Sequence, residues 1–195
     1  MGYELVLTAA DRTRMRFDVQ AADGRSIGRI GRGTASDLLR LDSAGGAGGA
    51  GGAGSADRAE GRAGVVLARG DRRGRYVVRS DDGAALGTVS RRFRLPLPGS
   101  GAVTWLAEPA GGPALTGAAR TGLRGWVNAF LPTSVAARMP VRVELASADR
   151  LSRVDLRRPS GPSDVVQVRV DVRGTEPDPR YVALVAALVC FVELG

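Results

Sequence analysis

The sequence predicts a mainly β protein, a β-barrel of about twelve antiparallel strands closed around a hydrophobic C-terminal α-helix. Three observations predict it. Short segments that alternate apolar and polar residues recur along the chain, separated by turn-forming residues. A seventeen-residue hairpin pattern occurs twice. The closing segment, Tyr181 to Val192, is apolar at all twelve positions, so a helix there has no face to give to water.

The elements follow in chain order. "RMRFDVQ" alternates as a strand wet on one side, and it opens the first hairpin, "RFDVQAADGRSIGRIGR", residues 16–32. That hairpin aligns without gaps on "RYVVRSDDGAALGTVSR", residues 75–91, with six identities in seventeen positions. Each copy reads as strand, Asp-Gly turn, strand. Gly28 and Gly87 fall at the same place inside the returning strand, where glycine marks a bend or a close backbone approach.

Between the two copies lies "SAGGAGGAGGAGSADRAEGRAG", residues 43–64, a Gly/Ala tract with no periodic apolar anchors. Such a tract does not repay the entropy of its own ordering, so it reads as a flexible loop inserted in a single 1–195 domain. The roughly forty residues before it are too few for an independent core, and they are expected to pair with strands beyond the loop.

Past the second hairpin, "AVTWLAE" alternates loosely, and "TGLRGWVNAFLPTSV" is ambiguous between a short helix and a strand. "PVRVELAS" and "LSRVDLRR" alternate around the turn-like "SADR". "VVQVRVDVR", residues 165–173, sets Val166, Val168, Val170 and Val172 against Gln167, Arg169, Asp171 and Arg173. Asp178 then suits a helix N-cap and Pro179 its first turn, which starts a helix over 178–193 with Leu184, Leu188 and Phe191 along it. Twelve apolar residues rise only about 18 Å against the roughly 30 Å of a hydrocarbon core, so no transmembrane span is expected. A helix apolar on every side must then be surrounded by protein, and a closed ring of strands supplies the surroundings.

Composition limits the function classes. There is no histidine, which removes the commonest general base and metal ligand, and the single cysteine, Cys190, sits in the apolar terminal run. No catalytic residue, metal site or cofactor is expected. All 28 basic residues are Arg, the formal charge is +8, and the N-terminus lacks the pattern of a secretory signal. These features point to a cytoplasmic protein, peripheral at the inner membrane face if its arginines meet lipid. Low aromatic content and the lack of a groove-binding helix leave no basis for reading a nucleic-acid sequence.

With the two "DG..[IL]G.[IV].R" hairpins, residues 23–32 and 82–91, and the closing "DPRYVALVAALVCFV", residues 178–192, the chain resembles the tubby C-terminal-like superfamily, which includes the LURP-one-related proteins and the phospholipid scramblases. The resemblance implies a closed barrel around the last helix over nearly the whole chain, with a non-enzymatic binding role. It does not imply calcium-dependent scrambling: "VRGTEPDPR" offers only Glu176 and Asp178 before the helix, and a Pro-rich leader and a cysteine cluster are missing.

Candidate anion-binding residues come from the second hairpin, whose register sets Arg75 near Arg92 on the wet face, with Arg73 and Arg94 beside them. Two readings stay open: a patch for anionic phospholipid headgroups, or an Arg-rich solvated wall on a domain that meets an unknown protein partner. A scramblase-like membrane protein is the third and requires a spanning segment.

Overall fold

A computed structural model describes residues 2–11, 16–34, 37–44, 64–93, 103–118, 141–158, 166–174 and 177–192. Twelve strands are described: β1 (Gly2–Asp11), β2 (Arg16–Ala21), β3 (Ser26–Arg32), β4 (Asp37–Ser43), β5 (Val65–Arg69), β6 (Arg75–Ser80), β7 (Ala85–Phe93), β8 (Val103–Pro109), β9 (Leu115–Ala118), β10 (Val141–Ala146), β11 (Arg153–Arg158) and β12 (Val166–Arg173). The described residues add one helix, α1 (Pro179–Val192). Each strand is antiparallel to the next, and β1 pairs with β12 over Gly2↔Arg173 to Ala9↔Val166, which closes the ring. The expected fold class is therefore the observed one. Closure gives every described strand a neighbour on both sides, with the β9–β10 seam joined at Ala146↔Thr116.

Alternation fixes the inside. Leu5, Leu7, Val19, Ile30, Leu41, Leu67, Val78, Val89, Val143, Leu156, Val168 and Val170 are buried, and they form one cluster with Tyr181 to Val189 of α1. The helix touches β1 and β12 as well as β4, β5 and β7, strands on opposite sides of the ring. Only an object inside the ring can do both. Leu184 is 0% and Leu188 1% exposed, as a helix apolar all round requires. The side chains of Cys190 and Phe191 lie outside the described residues, as do 45–63 of the Gly/Ala tract and all of "TGLRGWVNAFLPTSV".

The start of α1 is fastened three ways. The Asp178 carboxylate accepts from the Arg180 backbone N–H at 2.8 Å, an N-cap with Pro179 at the first helical position. Burial pushes that carboxyl up, but hydrogen bonds from the Arg180 guanidinium and backbone outweigh it and hold Asp178 below the usual carboxylate range. Tyr3 of β1 donates its hydroxyl to the Pro177 carbonyl at 2.7 Å, and Tyr181 donates to the Thr88 carbonyl of β7 at 2.8 Å. The axis is thus tied to two sides of the wall.

The hairpin repeat is structural as well as textual. In the first copy Phe17 pairs with Ile30 and Val19 with Gly28, after which the register shifts so that Gln20 meets Ser26. In the second Tyr76 pairs with Val89 and Val78 with Gly87, and the shift then sets Arg79 against Ala85. Gly24 and Gly83 turn with φ of 82° and 86°, and Asp23 and Asp82 each accept from the backbone N–H two residues on. Gly28 and Gly87 answer to the close-approach reading: a Cβ would meet Asp42 O at 2.3 Å in one and Glu108 O at 2.5 Å in the other. The first four strands also join the rest as expected, with β4 paired to β5.

Candidate functional site

The turn between β5 and β6 brings the predicted arginines to one rim of the barrel. Gly74, at φ 79°, lets the chain reverse, and its carbonyl accepts from the Arg91 N–H at 2.7 Å, which locks the turn to β7. Residues 69–75 with 91 and 92 then carry six arginines against Asp71 alone. Arg73 and Arg92 are exposed and form no ion pair among the described residues. Arg75 reaches Asp71 at 3.8 Å, with side chains 41% and 71% exposed, a pair too wet to neutralise much. Arg94 lies outside the described residues.

The register corrects one detail. Arg75 stands opposite Ser90 and Arg92 opposite Thr104, so Arg75 and Arg92 share the outer face as diagonal neighbours and do not face each other. The register shift at Val78/Arg79 moves the residue opposite Arg75 by one, to Ser90, which is still two residues short of Arg92. Repulsion is weaker on the diagonal than across a direct pair. Arg91 departs from this group: it pairs with Trp105 of β8, and its guanidinium carbon sits 5.9 Å from the indole centroid. Trp105 is 0% exposed, and its indole N–H has no hydrogen-bond partner among the described residues.

A second charged wall, on β10, β11, β12 and β1, did not stand out in the sequence. Its charges form rows. Glu144, Asp155, Asp171 and Glu4 stand opposite one another in turn. Two residues up the wall, Arg142, Arg157 and Arg169 do the same, and two residues down Arg153 faces Arg173. Most of the acids are taken up locally: Arg153 holds Glu144 and Arg173 holds Asp171, each at 2.8 Å. Asp155 is gripped by Arg142 at 3.1 Å and Arg157 at 2.6 Å, with its side chain only 5% exposed. Burial pushes its carboxyl up, but the two guanidiniums more than offset this and hold it below the usual range. Arg169 is exposed and makes no ion pair among the described residues.

This wall was missed because its signal lies between strands. Each of "PVRVELAS", "LSRVDLRR" and "VVQVRVDVR" reads only as alternation. The "SADR" turn, by fixing the β10–β11 register, was the one local clue that Arg142 would face Arg157. A further shallow depression on β2, β3 and β4 is lined by Asp18, Arg29 and Asp42, and Arg29 spans it with a 2.8 Å pair to Asp18. Asp42 is held by Arg40 at 2.9 Å, so both acids of the depression are already paired.

Among the described residues no group of three His, Cys, Asp or Glu side chains is placed to hold a metal ion, and no helix is long and apolar enough to cross a membrane. No family model matches the chain, and neither does any curated protein or solved structure. The class that the fold defines is a closed antiparallel barrel filled by its last helix.

Proposed function

We propose that this protein is a non-enzymatic binding module of the tubby-like, LURP-one-related kind, peripheral to a membrane and docking on anionic phospholipid headgroups through the β5–β6–β7 rim. One observation carries the reading. Leaving out Arg91, which turns to Trp105, the rim gathers five arginines against one aspartate, whereas the β10–β1 wall interleaves its arginines with acids row by row. Each arginine near an anionic surface contributes about 1 kcal/mol of attraction that fades within a Debye length. The inner faces of the described strands pack against the helix, so the reading places binding on the outside.

Co-sedimentation with vesicles tests this. Vesicles containing phosphatidylserine should carry the protein down at low salt and release it as salt rises, and an Arg73→Gln/Arg92→Gln variant should bind several-fold more weakly. Equal partition to neutral vesicles, or an unchanged double variant, overturns it.

A second reading, a soluble domain that meets a protein partner, draws on Leu151. It is the exposed large hydrophobic residue of the described surface, 74% accessible at the tip of the β10–β11 turn beside Arg150. If vesicles fail, that turn is the surface to test, with Leu151→Asp abolishing partner capture.

A further inference from the structure

The row Arg142, Arg157 and Arg169 is a costly arrangement for a sheet. Directly opposed residues bring their Cβ atoms within about 5 Å, and like charges so placed destabilise the pairing by a few tenths of a kcal/mol or more. Here Arg142 opposes Arg157 and Arg157 opposes Arg169. Asp155 supplies one negative charge from beneath the first two, and Arg169 makes no ion pair among the described residues. Positive charge is therefore left in excess along the row.

Asp155 does more than neutralise. Each of its two partners uses Nε and Nη2 toward the carboxylate, which orients both guanidinium planes and keeps Nη1 of Arg142 and Arg157 out of those bonds. Their side chains are each 57% exposed. Held guanidiniums bind a tetrahedral oxyanion with less ordering cost than free ones. From these placements we propose that the outer face of β10, β11 and β12 binds the phosphoryl group of a soluble phosphate ester or diphosphate, seated between Arg157 and Arg169 with Arg142 at one end.

The acids choose the source. The next row, Glu144, Asp155, Asp171 and Glu4, lies only two residues along each strand, about 7 Å away. A flat anionic bilayer laid on this wall would meet every row at once, five arginines against four acids, and gain little net attraction. A compact phosphoryl group touches the basic row alone. The site also stands across the barrel from the β5–β6–β7 rim, since β6 and β11 are five places apart in a ring of twelve. It does not depend on the lipid reading.

Titration of the full chain with pyrophosphate at constant ionic strength, followed by the arginine Nε–H resonances, tests the site. The expected result is a saturable shift of a small set of these resonances and a loss of about tenfold in affinity for Arg169→Gln. Arg25→Gln, on the β2–β3 turn with its side chain 77% exposed, should titrate as the unaltered chain does. Binding of Arg169→Gln to phosphatidylserine vesicles should be unchanged. The proposal falls if no saturable shift occurs, if Arg169→Gln titrates normally, or if Arg25→Gln weakens binding as much. It falls too if Arg169→Gln loses vesicles but keeps pyrophosphate, because the ligand would then be lipid.

Discussion

A Cβ atom on Gly87 would stand 2.7 Å from Cε2 of Tyr181 and 2.5 Å from the Glu108 carbonyl oxygen. The repeat's second glycine is thus where the wall makes room for the first buried turn of the helix. Tyr181 in turn reaches past it to hydrogen-bond Thr88.

Gly87→Ala should destabilise the protein by about 3 kcal/mol, combining overpacking with a φ of 150° that side-chain-bearing residues rarely adopt. Gly24→Ala, at φ 82° but with nothing within 4 Å, should cost only about 1 kcal/mol. Denaturant unfolding of the two variants checks the difference. Equal losses would mean that contact with Tyr181 contributes nothing.

The Asp178 cap makes a pH prediction. Its carboxyl is held below the range it has in the unfolded chain, so its contribution is fully present above about pH 4, the unfolded value. It is lost as pH falls through the lower folded value. Asp178→Ala should cost about 1 kcal/mol at neutral pH and show a shallower loss of stability on acidification. A parallel offset at every pH would place the effect elsewhere than in this carboxylate.

Arg150 takes φ 60° in the turn where the two repeated hairpins place Gly24 and Gly83. Its turn is closed as theirs are, with Asp149 accepting from the Leu151 N–H at 3.0 Å, so the left-handed conformation is imposed on a residue that has a Cβ. Arg150→Gly should raise stability by about 1 kcal/mol without moving the β10–β11 register, measured as a higher unfolding midpoint with an unchanged slope.

What the sequence made legible follows the range of each signal. Val166 to Arg173 announces a half-wet strand by itself, and Tyr181 to Val192 announces burial, because both patterns are complete within one element. The two hairpins were legible because one copy checks the other, down to Gly28 and Gly87. Register between distant strands was not. Nothing within "VVQVRVDVR" says that Arg169 will face Arg157, and alternation puts Arg75 and Arg92 on one face without saying that Ser90 is the residue opposite Arg75. Charge rows are properties of the closed ring, and the candidate site changes most where they appear.

The filling helix separates a barrel core from an attached anchor. Residues Tyr181 to Val189 are all buried against the inner faces of the strands, and burying a Leu or Val side chain contributes roughly 1.5–3 kcal/mol. Removing residues 178–195 would expose both the helix's partners and a channel lined with Leu5, Leu41, Leu67 and Val170. That loss exceeds the 5–15 kcal/mol by which domains are stable, so the truncated chain should be unfolded and insoluble. Leu184→Ala supplies the graded form: a loss of about 2–5 kcal/mol, set by how far the ring can collapse into the space. A truncated chain that stays soluble with a cooperative melt would show that the barrel stands without its axis.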